Sequence, residues 1–398
     1  MSVQKTILLI ITGGIAAVKS LELLRRLRDG GHKVEVILTK AATEFVTPLS
    51  VGALNEAEPH TELFNLTAEA KMGHIRLARE ADLVAVIPAS ADFLAKMAHG
   101  RADDLASTVL LATTAPVVVA PAMNHRMWGH PATCANVALL QSRGVFVIPP
   151  EHGAMACGET GAGRLPEVAA LLPLLDIILA GLPAGRPLRG KKALVTSGAT
   201  HEPLDPVRFL GNHSSGRQGH TLAGALMLAG AEVTLLEGHV SVPAPPGVTV
   251  IKTPTAAALY DAALAALPVD IAICAAAVAD WQLDTPLPQK QKKNGAGSWT
   301  PSFSPTPDTL RALGTHKTSR PRLVIGFAAE TENALENARQ KRQDKGCDWL
   351  IVNEISAENP AFGAATNTVT LLDGHTEHFF ENKSKAHIAA ACLQKIIA

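Results

Sequence analysis

Net charge is the first thing the chain lacks. Lys plus Arg number 36 and Asp plus Glu number 36, so no global field draws it toward nucleic acid or an anionic membrane. A membrane-length apolar run is also missing. The N-terminal stretch MSVQKTILLIITGGIAA breaks at Gly13-Gly14, which reads as a first core strand rather than a signal peptide. No later stretch approaches the roughly 20 apolar residues that a span requires. CxxC spacing is absent too: Cys134, Cys157, Cys274, Cys347 and Cys392 are scattered. That pattern excludes a structural zinc site of the usual spacing and predicts a reduced, cytoplasmic protein. Finally, the first Gly-rich turn is not a full GxGxxG, and Glu35 on the second strand is not placed to mark a ribose. A nicotinamide site is therefore the weaker reading.

What is present is a repeating unit. TILLIIT, KVEVILT, ADLVAVIPA, APVVVAPA and GVFVIPP are apolar runs bounded by turns, and several alternate with helical periodicity. Such runs predict parallel strands covered on both faces. At 398 residues and 47% hydrophobic content, two domains are expected. The Gly/Pro/Arg-rich stretch 181–191, GLPAGRPLRGK, is the natural linker. The pattern restarts at KKALVTSGAT and continues through AEVTLLEG, DIAICAAAVAD, RLVIGFAAET, DWLIVNEI and NTVTLLD, with helices at 216–230, 332–345 and 383–396. The expectation is an α/β protein of two Rossmann-like domains, 1–181 and 190–398.

Ligands in open parallel sheets sit beyond the carboxyl ends of the strands. In the first half those ends carry Gly13, Gly14, Thr39, Ser90 and the run Pro121-Ala122-Met123-Asn124. Glycines there let backbone approach a phosphate at the next helix N-terminus, although a tight turn alone would also explain them. Ser107 is equally readable as a helix cap, and His74 as a structural histidine. Cys157 lies among Gly153, Gly158, Gly161 and Gly163, a composition that predicts irregular, mobile backbone. A thiol there reads either as a proton donor reaching into a site or as an inert half-buried cysteine.

Taken together, GGIAAVK, AKMGHI, PASAD, ADDLAST, PAMNHRMW and ACGETGAGR, in this order, resemble the flavin-dependent phosphopantothenoylcysteine decarboxylases over nearly all of residues 5–180. The resemblance implies a flavodoxin-like domain with FMN surrounded by Gly13, Gly14, Thr39, Ser90, Ser107 and Met123. It implies that Asn124 binds the substrate carboxylate, that His74 assists the oxidative half-reaction and that Cys157 protonates the enethiol. Oxidation of the thiol by the flavin would create an electron sink β to the carboxylate. Asp92 departs from the pattern, standing where many members carry Asn, and is given no role.

In the second half, Asn212, Ser214, Ser215 and Gly216 precede a helix, a placement suited to phosphate or carboxylate. Asp280 ends a strand, and Lys290, Lys292 and Lys293 follow on the long polar segment 281–307. That segment reads as a cationic lid or a solvated loop. Lys341 and Lys345 share a helix face at i and i+4. EPLDPVR, NHSSG, AAVAD, KxKK, GFAAET, ARQKR and NKSK resemble bacterial phosphopantothenate–cysteine ligases over roughly residues 190–398. The resemblance implies CTP with Mg²⁺, an acyl-cytidylate handled by Asn212, and displacement of CMP by cysteine. Asp280, Lys290, Pro307, Asp308, Phe327, Lys341 and Lys345 would contact the nucleotide, with Lys290 offsetting charge at the reacting phosphate; no metal ligand is implied by residue.

The two resemblances imply consecutive steps of coenzyme A biosynthesis, with 4'-phosphopantothenate, cysteine and CTP as partners. They also imply trimeric decarboxylase units and dimeric ligase units. A flavin-binding regulatory subunit and a nicotinamide-dependent reductase are the rival readings. Both leave the lysine-rich loop unexplained.

Overall fold

The computed structural model describes residues 4–63, 73–156, 158–292, 299–355 and 366–398, which fall into two units, Met1–Pro187 and Leu188–Ala398. In the first unit the chain runs β1 (Thr6–Ile11), α1 (Ala17–Asp29), β2 (Lys33–Leu38), α2 (Pro48–Asn55), α3 (Gly73–Glu80), β3 (Leu83–Ala89), α4 (Ala91–Ala98), α5 (Leu105–Ala112) and β4 (Val117–Pro121). It continues with α6 (His125–Trp128), α7 (Pro131–Ser142), β5 (Phe146–Val147), the strands β6 (Glu151–Ala154) and β7 (Thr160–Arg164), and α8 (Val168–Leu179).

The main sheet is parallel in the order β2-β1-β3-β4-β5. That is the flavodoxin-like order, with its switch point between β1 and β3. Every residue of β3 is buried, as expected for a strand covered on both faces. The helix α1 shows why the segment folds as it does. Ala17, Ser20, Leu23, Leu24 and Leu27 form one buried face, while the arginines lie opposite. Each buried leucine contributes roughly 1.5–3 kcal/mol, so Leu23→Ala is the sort of single change that loosens the helix.

The second unit runs β8 (Lys192–Ser197), β9 (His201–Pro203), β10 (Phe209–Gly211), α9 (Arg217–Leu228), β11 (Glu232–Glu237), β12 (Thr249–Lys252), α10 (Ala256–Ala265), β13 (Ile271–Cys274), β14 (Trp281–Leu283) and β15 (Phe303–Pro305). It ends with α11 (Thr309–Gly314), β16 (Leu323–Glu330), α12 (Ala334–Lys345), β17 (Trp349–Glu354), β18 (Thr366–Leu372), β19 (Glu377–Ser384) and α13 (Lys385–Ile397). The main sheet has the order β12-β11-β8-β13-β16-β17-β18-β19. Its first six members are parallel, and β18 and β19 extend the edge antiparallel. Counting from β8, this is the Rossmann order with its switch point between β8 and β13.

Three elements escape the sequence pattern. All four residues of β12 are exposed, its apolar Val250 and Ile251 included. The hairpin β9–β10 lies in a stretch that reads as loop. It is fastened by His201, whose ring stacks at 3.7 Å on both Phe209 and His239. The polar strand β19 occupies EHFFENKS, and the last helix begins at Lys385 rather than 383 because Ser384 caps it through the His387 amide at 3.1 Å.

Candidate active sites

At the switch point of the first unit, side-chain hydroxyls stitch strand ends together. Thr12 Oγ1 donates to the Pro88 carbonyl at 2.8 Å and accepts from the Ser90 amide at 2.9 Å. Thr39 Oγ1 accepts from the Ala42 amide at 3.2 Å and reaches the Ile11 carbonyl at 3.3 Å. Gly13 is required by close approach: a Cβ there would lie 2.5 Å from the Ala41 side chain. Gly14, at φ +149°, faces open space. The N-terminus of α1 has no side-chain cap and no acidic residue in its first turn. The result is a polar crevice floor beside an uncapped helix end, a fit for a group bearing a phosphate.

Two of the expected flavin contacts already have structural work. Ser90 caps α4 by accepting from the Phe93 amide at 3.3 Å. Ser107 is buried in a capping box, accepting from the Asp104 amide at 3.2 Å while Asp104 Oδ1 accepts from the Ser107 amide at 2.7 Å. His74 is half-buried in the first turn of α3, which packs against α5.

The stretch expected to be irregular, 151–164, is an antiparallel hairpin, β6–β7. Two of its glycines serve close approach. A Cβ on Gly163 would sit 2.2 Å from the Met123 carbonyl oxygen, and one on Gly161 2.7 Å from His125 Cβ. The Met123 amide donates to the Gly163 carbonyl at 3.0 Å. Asn124 follows β4 as the cap of α6: its Oδ1 accepts from the Arg126 amide at 2.9 Å, and its Nδ2 donates to the Glu159 carboxylate on the hairpin side. The hairpin is thus seated on the Asn124 turn. Cys157, between its strands, lies outside the described residues.

In the second unit the predicted residues converge. A cleft of about 770 Å³ lies at the C-terminal edge of the main sheet and is lined by Asn212, Asp280, Pro307, Asp308, Phe327, Lys341 and Lys345, among others. Local bonding explains the convergence. Thr196 Oγ1 accepts from the Ala276 amide at 3.1 Å and Thr200 Oγ1 from the Ala279 amide at 2.9 Å, tying the turn after β13 to that after β8. Asn212 Nδ2 donates to the Val278 carbonyl at 3.1 Å. The two ends of the 281–307 insertion zip together as β14–β15, and the Thr306 amide donates to the Asp280 carbonyl at 3.0 Å. That pairing brings Pro307 and Asp308 beside Asp280.

Charge in the cleft is partly paired. Lys345 bonds the Asp308 carboxylate, and Lys341 lies 3.5 Å from Glu330. Cys274 also lines the cleft, but burial pushes its thiol up to about 12, which leaves it inert. Lys290 is exposed and is not among the cleft-lining residues. Its strand of loop is tied elsewhere: the Leu287 amide donates to the Leu204 carbonyl at 3.0 Å, and the Gln291 amide to Asp205 Oδ2 at 3.2 Å. Lys292 is likewise exposed, and Lys293 lies outside the described residues.

Comparison with known proteins now decides the assignment. The model of the family "Flavoprotein" matches residues 1–179, and that of the "DNA/pantothenate metabolism flavoprotein C-terminal domain" matches residues 188–398. A coenzyme A biosynthesis bifunctional protein CoaBC of Vibrio vulnificus is 42% identical over 98% of this chain and 97% of its own length. The chain belongs to that bifunctional family. The Escherichia coli K12 protein of the same name is 42% identical over 92% of this chain and 90% of its own length, and the Bacillus subtilis one 39% over 99% and 97%. Among solved structures, the C-terminal domain of a CoaBC protein is 30% identical, covering 54% of this chain and 97% of that one, with a TM-score of 0.45. As a member of the family, the protein is an enzyme of coenzyme A biosynthesis with a decarboxylase half and a ligase half.

Family motifs did not reveal one buried network. Ser197 Oγ lies 2.9 Å from His220 Nδ1, and His220 Nε2 lies 2.9 Å from Glu237 Oε1, with Lys252 on the other carboxylate oxygen. Ser197 Oγ also donates to the Gly216 carbonyl at 2.8 Å. Burial lowers the His220 pKa to about 4. The network fixes the start of α9, and with it Ser214 and Ser215 in the cleft. No sequence signal joins these residues, because each sits inside a different apolar segment.

Proposed function

We propose that the second unit joins 4'-phosphopantothenate to cysteine at the expense of CTP, through an acyl-cytidylate, and that the first unit decarboxylates the product to 4'-phosphopantetheine with FMN. The observation that carries the reading is the single cleft holding Asn212, Asp280, Pro307, Asp308, Phe327, Lys341 and Lys345. There the lysines offset triphosphate charge, Phe327 offers a ring face near a base, and Asn212 orients the acyl carbonyl while its amide nitrogen holds the turn after β13. Lys290 enters from the neighbouring loop when substrate is bound. The carboxylates of Asp280 and Asp308 are the oxygen donors that suit Mg²⁺ arriving with the phosphates. When bound, the ion supplies charge neutralisation at the reacting phosphate.

In the first unit the crevice floor at Gly13, Gly14, Thr39, Ser90 and Met123 fits FMN, with Ser107 acting through the helix end it caps. When bound, the flavin supplies reversible two-electron oxidation of the substrate thiol. The protein's own contribution is positional. The Asn124 amide, which already binds the Glu159 carboxylate, presents a neutral donor to the substrate carboxylate. A neutral donor holds that group without the fixed counter-charge that would resist its loss as carbon dioxide. Cys157 delivers the proton that completes the product, and His74 assists the oxidative half. The family's trimeric decarboxylase units and dimeric ligase units are the proposed assembly. Among the described residues no helix is long and apolar enough to cross a membrane, and a cytoplasmic location is proposed.

The test is mass spectrometry of products from the purified protein given 4'-phosphopantothenate, cysteine, CTP and Mg²⁺. 4'-Phosphopantetheine with CMP is the expected outcome. Accumulation of 4'-phosphopantothenoylcysteine would leave the first unit a flavin module, and no conversion by flavin-loaded protein would reject the reading.

A further inference from the structure

The amide proposed to receive the substrate carboxylate already receives a carboxylate of this chain. Asn124 Oδ1 is committed to the Arg126 amide at 2.9 Å, so Nδ2 is the end of the side chain that meets an acid, and it donates to Glu159 Oε2. The same oxygen lies 3.6 Å from His125 Nδ1, just beyond hydrogen-bond range. His125 Nδ1 is buried and has no hydrogen-bond partner among the described residues, an unfavourable condition for a polar atom in a folded protein. One carboxylate oxygen thus stands between two nitrogens. It is bonded to the first and a small side-chain movement from the second.

The backbone and the side chain of Glu159 differ in freedom. Its carbonyl accepts from the Met155 amide at 2.9 Å across the hairpin, while Gly161 and Gly163 press the same hairpin onto His125 and Met123. The Glu159 side chain is 46% exposed. It can therefore change partner while the hairpin stays seated.

We infer that Glu159 and the substrate carboxylate exchange places on Asn124 Nδ2: the substrate takes the amide, Glu159 moves to His125 Nδ1, and departure of carbon dioxide lets Glu159 return. The inference rests on the decarboxylase reading above. No bond to Glu159 forms or breaks, and it carries neither proton nor electron; it only changes hydrogen-bond partner. Its charge still acts on the reaction. Two carboxylates gathered at one turn repel each other, and loss of one as carbon dioxide ends the repulsion. The bound acid is thereby raised in energy relative to the transition state. The product has no carboxylate and leaves the bond between Asn124 and Glu159 in place. Glu159 is a positioning residue that acts through Asn124, loosening the hold on the acid and favouring its decarboxylation.

The test uses the flavin-loaded, full-length protein and Glu159→Gln, which keeps the shape and removes the charge. Calorimetric titration with 4'-phosphopantothenoylserine, whose hydroxyl replaces the oxidisable thiol, reads the exchange without turnover. The variant is expected to bind this acid about tenfold more tightly than the parent, the scale of one hydrogen bond to a charged group. It should bind 4'-phosphopantetheine with the parent's affinity. With 4'-phosphopantothenoylcysteine, kcat for carbon dioxide release and KM should both fall about tenfold, the pattern of ground-state strain removed, and CMP formation by the second unit should be unchanged. Glu159→Asp, which keeps the charge on a shorter arm, should lie between the parent and the Gln variant. Equal tightening for both ligands would make Glu159 a general wall of the site and overturn the inference. Unchanged or weaker binding of the acid would overturn it too, and a lower melting temperature alongside would leave Glu159 a tie of the hairpin. If the Gln variant binds the acid more tightly but the parent releases no carbon dioxide, the exchange stands and the decarboxylase reading falls. A parent that binds neither ligand overturns both.

Discussion

At the end of β1, Thr12 spends its hydroxyl on the backbone of β3 and of the turn that follows it; at the end of β8, Thr196 spends its own on the turn after β13. The two units share this floor: a first strand whose terminal threonine is bonded across the switch point. Above the floor they part. The first unit folds a glycine hairpin onto an uncharged amide, Asn124. The second leaves a cleft of about 770 Å³ walled by lysines and aspartates. The difference matches the chemistry proposed for each half. Losing carbon dioxide is favoured by neutral positioning, whereas activating a carboxylate with a nucleotide needs charge to offset phosphates. A common scaffold therefore carries unlike reactions through what is added beyond the strand ends.

The sharpest way to break that contrast is to replace the neutral amide of the first unit by a charge. Asn124→Asp should lower decarboxylation by about 10²–10³-fold, the scale of a lost and reversed positioning donor, with ligation unaffected; carbon dioxide release against CMP formation reads both. Next, Gly163→Val drives a side chain into the Met123 carbonyl. Overpacking of about 1–3 kcal/mol should cut decarboxylation roughly 10–100-fold and spare ligation. A parallel loss of ligation would show that the two units are not independent.

The His220 network tests the second unit. Its pKa of about 4 lies below the unfolded histidine value, so between pH 6.5 and 4 the unfolded chain binds more protons and stability falls as pH falls. Between pH 7 and 5 the loss should be about 2 kcal/mol, read as a shift in urea midpoint of the second unit, and His220→Gln should flatten it. The smallest effect is Ser107→Ala. Losing half a capping box should cost about 1 kcal/mol and leave flavin absorbance intact. Bleached protein would make the Ser107 hydroxyl a direct flavin ligand.

Much of this was legible beforehand. Strands buried on both faces, such as β3, announce themselves as unbroken apolar runs, and Gly13, Thr39, Ser90 and Asn124 lie just beyond the carboxyl ends of strands, where the pattern put them. The illegible parts have a common cause: they are made by partners distant in sequence. Exposed strands such as β12 and β19 pair through backbone and leave apolar residues such as Val250, Ile251 and Phe379 in solvent, so burial does not mark them. Gly161 and Gly163 read as irregular backbone because the atoms that exclude a side chain, His125 Cβ and Met123 O, belong to another element. Lys385 appears in the sequence only within the motif NKSK, and its burial, at 6% exposure, comes with the packing of α13 on α9.

The Gly163 contact also bears on how the activity can be inherited. The Met123-Asn124-His125 turn and the Gly161/Gly163 pair are two halves of one word, spelled in separate places along the chain. A descendant that keeps the amide but exchanges either glycine loses the surface against which it is held. Drift at His125 is tolerable only in step with Gly161. Searches for the same chemistry in unfamiliar sequences gain more from requiring both halves together than from either alone.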